Sequence, residues 1–303
     1  MKKAIQLLLI TILCFSCNNQ KKSNGKINVV TTTSMITDLV KNVAGNNVNI
    51  EGLMGSGVDP HLYKASGGDV TKLANADIIF YNGLHLEGKL VEVFEKMHNN
   101  KTKTIAIANA IDKNTLISSA SFASNYDPHI WFNIEYWIQA THFITKQLIA
   151  AAPEHTSVFK KNADTYVEKL RALQIKLKTK IATLPKEKRI LVTAHDAFNY
   201  FGKSFNFEVV GLQGLSTATE AGVKDVQKLA SFIIEKNVKA VFIESSVPKR
   251  TIEALQAAVT SKNHEVNIGG TLYSDALGNP NTVEGTYIGM FEYNVSTIVN
   301  ALE

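Results

Sequence analysis

"KINVVTTTSMITDLVKNVAG", residues 26–45, sets the architecture. A β-branched run from Ile27 to Val30 is followed by Thr and Ser residues able to cap a helix. Ile36, Leu39, Val40 and Val43 then recur at helical spacing. The unit therefore reads as strand, cap and amphipathic helix, and the chain repeats it. "VNIEGLM" (48–54) reads as a strand, "DVTKLANA" (69–76) as a helix and "DIIFYN" (77–82) as a strand. "LEGKLVEVFEKMH" (86–98) reads as a helix and "KTIAIA" (103–108) as a strand. Short apolar strands alternating with helices imply a parallel sheet covered on both faces.

A second series opens at residue 189. "RILVTA", "FEVVGL", "VKAVFIES" and "EVNIG" read as strands. Between them, "DAFNYFGKSF", "VKDVQKLASFIIEKN" and "PKRTIEALQAAVTSK" read as helices. Between the two series, Phe159, Ala163, Tyr166, Leu170, Leu173, Leu177, Ile181 and Leu184 recur at steps of three and four, with Pro153 and Pro185 as start and stop. The fold expected is α/β: two doubly wound lobes, 27–152 and 187–303, bridged by one long rigid helix at 153–186. Such a helix spans roughly 45 Å and limits relative lobe motion. The stripe could also pair two chains as a coiled coil. Packing against the chain's own lobes is the preferred reading, and a monomer is expected.

Residues 1–17, "MKKAIQLLLITILCFSC", carry two lysines and then an apolar run too short to span a bilayer. Ser16 precedes Cys17, as in a bacterial lipoprotein signal in which Cys17 is acylated, although Cys14 stands where Leu is usual. A plain secretory peptide is the alternative. The polar stretch 18–26 reads as a flexible tether. Both cysteines lie in the leader, which excludes an internal disulfide or a thiolate metal site in the mature globule. The formal charge of +5 is mild and carries no Arg-rich or aromatic-interleaved tract, so nucleic acid is not an expected partner.

Ligands of a doubly wound sheet bind beyond the carboxyl ends of its strands. Four residues fall there. His61 follows the Gly-rich loop "MGSGVDPH", His129 closes "NYDPH", His195 ends "RILVTAH" and Asp275 lies in "LYSDALG". Asp-Pro-His thus occurs twice among only six prolines and eight histidines. Proline fixes its own φ and biases the residue before it to extended backbone, so each histidine projects from a stiff elbow. Three neutral imidazoles and one carboxylate are a conventional set for a borderline divalent cation. His85, His98, His142, His155 and His264 sit in helical or charged surroundings and read as bystanders.

The chain resembles the metal-binding solute-binding lipoproteins of bacterial ABC transporters that deliver zinc and manganese. "DPHLY", "DPHIWF", "TAHDAFNYF", "GLSTATEAG", "FIESSVPKR" and "LYSDALG" carry the likeness. The resemblance implies two α/β lobes with a bridging helix and metal ligands at His61, His129, His195 and Asp275. It also implies Zn2+ or Mn2+ as transported cargo, a membrane permease as partner, and a lipid-anchored protein in the periplasm or at the cell surface. Some manganese members have Glu where His195 stands, and zinc members often carry an acidic, His-rich loop that is missing here. Two other functions compete: a metallohydrolase using the same residues with Glu244 as base, and a surface adhesin.

Overall fold

The computed structural model of the chain describes residues 25–97, 102–120 and 122–303. The leader with Cys17, most of the tether and His98 lie outside the described residues. Strands β1 (Asn28–Thr31), β2 (Asn49–Gly52), β3 (Ile78–Tyr81) and β4 (Lys103–Ala106) form one sheet in the order β2-β1-β3-β4. Strands β5 (Ile190–His195), β6 (Glu208–Gln213), β7 (Ala240–Glu244) and β8 (Asn267–Leu272) form a second in the order β6-β5-β7-β8. All pairings are parallel. In each sheet the chain reverses its winding direction beside the first strand, leaving a crevice beyond the carboxyl ends.

The first lobe carries helices α1 (Ser34–Ala44), α2 (Gly67–Ala74), α3 (Val91–Met97) and α4 (Ile134–Ala151). Helix α1 begins where Thr33 accepts the Ile36 N–H, which ends β1 and turns the chain over the sheet. Helix α2 starts earlier than its apolar periodicity suggests, because Ser66 and Asp69 form a reciprocal capping box. Helix α3 starts later than expected. Glu87, only 1% exposed, accepts hydrogen bonds from the backbone of Asn82 and Gly83 and from Thr32. Those bonds hold a turn in which Gly83, Leu84 and His85 all have positive φ, so residues 86–90 cannot join the helix.

Helix α5 (Thr156–Ala182) links the lobes, and Pro153–His155 forms a separate 3-10 turn ahead of it rather than its first turn. Its 27 residues span about 40 Å. Phe159, Ala163, Tyr166, Leu170, Leu173, Leu177 and Ile181 are buried along one side. The second lobe adds α6 (Asn199–Phe205), α7 (Val223–Glu235), α8 (Arg250–Thr260) and α9 (Tyr287–Leu302). Helix α6 is shorter than the sequence pattern at 196–205, and β8 runs three residues past the expected 265–269.

The largest hydrophobic cluster runs unbroken from the first sheet through α4 and α5 to α6 and α9. Separate clusters fill the outer faces of the second and first lobes. The lobes therefore share one core through the linking helix, and no apolar boundary separates them. No helix among the described residues is long and apolar enough to cross a membrane.

Asp38 on α1 marks one seam of this shared core. Its Oδ2 accepts the Tyr287 N–H at 3.2 Å, and the Tyr166 hydroxyl of α5 lies near its carboxyl. Burial pushes its pKa up to about 6, against the backbone bond from Tyr287 and the nearby Lys41 charge. The folded state thus holds this proton more tightly than the unfolded chain, so stability falls as pH rises from about 4 to about 6. Asp38→Asn, which keeps an acceptor for Tyr287, should raise stability at pH 7.5 by about 1–2 kcal/mol and far less at pH 4. Thermal unfolding of the two proteins at both pH values measures this.

Candidate metal centre

His61, His129, His195 and Asp275 meet at the lobe junction. Each offers a donor atom within 4.8 Å of the others, and among the described residues this is the group able to hold a metal ion. Two come from each lobe. His61 follows the loop after β2, His129 the loop before α4, His195 ends β5, and Asp275 follows β8. His61 is 4% exposed and the other three at most 1%. Asp275 sits centrally: its carboxylate lies 3.3 Å from His195 Nε2, 3.6 Å from His129 Nε2 and 3.9 Å from His61 Nε2. These three Nε2 atoms and both Asp275 oxygens are buried without a hydrogen-bond partner. Buried polar atoms left unpaired are costly, and several aimed at one point are what a cation would satisfy.

The repeated Asp-Pro-His has one geometry, and the Asp, as much as the Pro, creates it. Asp59 Oδ1 accepts the His61 N–H at 2.8 Å, and Asp127 Oδ1 accepts the His129 N–H at 2.9 Å. Both are Asx turns closed two residues on. Asp127 Oδ1 also lies 2.8 Å from His129 Nδ1. A carboxylate accepts, so Nδ1 keeps the proton and Nε2 faces the centre with its lone pair.

Glu244 at the end of β7 does the same for His195. Its Oε1 accepts the His195 N–H at 2.8 Å, and its Oε2 lies 2.6 Å from Nδ1. On the other side of β5, strand β6 also comes close: a side chain on Gly211 would stand 2.5 Å from the His195–Asp196 backbone, and the Gly211 N–H donates to Asp196 Oδ1 at 2.7 Å. Sequence reasoning missed the roles of Asp59, Asp127 and Glu244 as supports. Only the turn chemistry of the two aspartates could have been found from local sequence.

The four imidazole and carboxylate groups differ in charge. Burial, aided by repulsion from His129 and His195, pushes His61 down to about 3 despite the opposing pull of Asp275, so it is neutral and ready to ligate. Burial also disfavours the charged form of His195, but Glu244 and then Asp275 outweigh it and hold its pKa well above the ordinary value. Burial likewise opposes ionisation of Asp275, yet His195, His129 and His61 overcome it and keep the carboxyl far below the usual range. A cation at His195 Nε2 would compete with a proton there, so binding would weaken as pH falls.

Trp131 bolts the two halves of the centre together. Its Nε1 donates to Ser274 O at 2.9 Å, beside Asp275, and its carbonyl accepts from Tyr287 Oη at 2.6 Å. His85 and His142 are exposed and His155 and His264 partly so, all outside the cluster. Replacing Glu244 with Gln should release the His195 tautomer and weaken Zn2+ binding by about tenfold to a hundredfold without unfolding the protein. Competition against a chromophoric chelator, alongside circular dichroism, measures both.

Known proteins are similar to this chain in sequence and in fold. The chain is 47% identical over 290 residues to the manganese-binding lipoprotein MntA of Bacillus subtilis, covering 96% of this chain and 94% of that protein. It is 46% identical over 280 residues to the zinc-binding protein TroA of Treponema pallidum, covering 92% and 90%. The solved structure of that periplasmic zinc-binding protein superposes with a TM-score of 0.89, over 92% of this chain and 99% of that one, at 47% identity. Residues 29–301 match the family model of the zinc-uptake complex component A, periplasmic, and the chain belongs to that family.

Proposed function

We propose that His61, His129, His195 and Asp275 bind one divalent transition-metal ion, Zn2+ or Mn2+, which the protein captures outside the cytoplasm and hands to the membrane permease of an ABC transporter. The ion is cargo rather than a resident cofactor. One observation carries the reading: four buried donors from both lobes face one point, and the atoms that face it have no hydrogen-bond partner. Intrinsic affinity of such a set favours Zn2+ over Mn2+. Bidentate binding by Asp275 would raise the coordination number and make Mn2+ more acceptable. Hydrolase chemistry is disfavoured, because both oxygens of Glu244 face His195 and leave no free base for a water.

The names of the relatives, a manganese-binding lipoprotein and a periplasmic zinc-binding protein, support placement outside the cytoplasm. We extend this to a lipid anchor at Cys17 after cleavage of 1–17, a tether at 18–26, and a monomer whose lobes, 27–152 and 187–303, are joined through 153–186. Cys17→Ser should move the protein from the membrane pellet to the soluble fraction. Persistence in the pellet would overturn the anchor.

The ligand set is tested by calorimetry with Zn2+ and Mn2+ on Asp275→Ala and His85→Ala. Asp275 balances half the ion's charge, so its loss should abolish measurable binding of either metal. His85→Ala should bind as the parent does. The opposite pattern would remove Asp275 from the site.

A further inference from the structure

The centre is closed. With its four donors between 0% and 4% exposed, no ion reaches it unless something moves. The two Asp-Pro-His turns show where. Each aspartate spends Oδ1 on its own histidine and Oδ2 on the opposite lobe. Asp127 Oδ2 accepts from Asn199 Nδ2 at 3.1 Å, while Asp59 Oδ2 accepts from Thr217 Oγ1 at 2.5 Å. The motif is thus a pair of bridges between the lobes, one on each side of the centre.

The bridges differ in what stands behind them. Asn199 opens helix α6, and its neighbour Tyr200 donates from its hydroxyl to the Asp127 carbonyl at 3.0 Å. Asp127 itself is fully buried. That side is fixed by a helix and by several bonds. Thr217 instead sits in the middle of the loop 214–222, bounded by Gly214 and Gly222, between β6 and α7. Thr217 is the buried residue of a loop otherwise exposed or half-exposed. Among the described residues, no other hydrogen bond joins this loop to the first lobe. On its partner's side, residues 55–57 are exposed, and Gly57 has positive φ. A cavity of about 440 Å3 lies directly outside, lined by Asp59, Leu62, Gln213, Thr217, Glu220 and Arg250 among others.

We infer that the Thr217–Asp59 hydrogen bond is the latch of the metal centre, and that the ion enters and leaves past it through this cavity. Release of Thr217 frees a glycine-bounded loop to swing and, through Asp59, loosens the elbow that presents His61. The Asn199–Asp127 bridge stays shut and serves as the fixed side. This rests on the ligand set proposed above. A bond that closes the site equally over an empty and a filled centre slows entry and exit together, so its loss changes rates more than affinity.

The test is stopped-flow exchange of Zn2+ with excess chelator in the intact protein, with equilibrium affinity measured in parallel. Thr217→Val and Thr217→Ala should speed both uptake and release by about tenfold, the scale of one lost hydrogen bond, and leave Kd nearly unchanged. Thr217→Ser, which keeps the hydroxyl, should retain the parent's rates. Parent-like rates in both Val and Ala variants would overturn the latch. So would a weakened Kd with unchanged uptake, since that is the signature of a residue that only props His61. Asp275→Ala separates the two levels: if it loses zinc while the Thr217 variants exchange as the parent does, the latch alone fails. If Asp275→Ala binds like the parent, the ligand set fails.

Discussion

Trp131 is the residue on which the arrangement turns. It follows His129 by two positions, and its indole N–H and its carbonyl are both bonded to the second lobe. One bond sets the loop that carries Asp275, and the other sets the start of α9. Four donors drawn from two lobes make a usable centre only if the lobes keep their separation to within a fraction of an ångström. The indole fixes it at the point where the ligands converge. Around it, the stacking of Trp137 on Tyr287 at 4.9 Å and the T-shaped contact of Phe132 with Phe291 make the same junction rigid in bulk.

A second constraint is electrostatic. Asp59, Asp127, Glu244 and Asp275 surround three imidazoles, so the junction is rich in carboxylates beneath an apolar shell. Their work is divided. Asp275 faces the point where the donors converge, whereas the other three face away from it and bind the histidine backbone or Nδ1. The protein therefore attracts a cation without offering it a surplus of ligand oxygens. A centre poor in oxygen and rich in imidazole nitrogen suits the borderline ions over calcium or magnesium.

Much of this was legible in the sequence. The alternation of β-branched runs with capped helices is a local signal, and the strands it marks are those observed, give or take a few residues. The four convergent residues were legible too, because each ends a strand or a stiff turn where doubly wound sheets place their ligands. What escaped was set by distant partners. Glu244 pairs with His195 from 49 positions away, and nothing local distinguishes it from any acid ending a strand. Residues 86–90 carry a helical pattern yet form a turn, because Glu87 is recruited by the backbone of Asn82 and Gly83 and by Thr32 of the first strand. The two aspartates could have been read from Asx-turn chemistry; their second oxygens, bound to the opposite lobe, could not.

The shared core bears on how such a chain comes to be folded. Tyr287 reaches back 156 positions to the Trp131 carbonyl and 249 positions to Asp38, so α9 closes a cluster whose first members belong to β1 and α1. A chain emerging amino end first from a translocation channel presents the first lobe long before that helix follows. Until it does, Trp137, which stacks on Tyr287, lacks part of its cover. The two lobes are therefore not independent folding units: the core of the first is complete only when the last helix of the chain is in place.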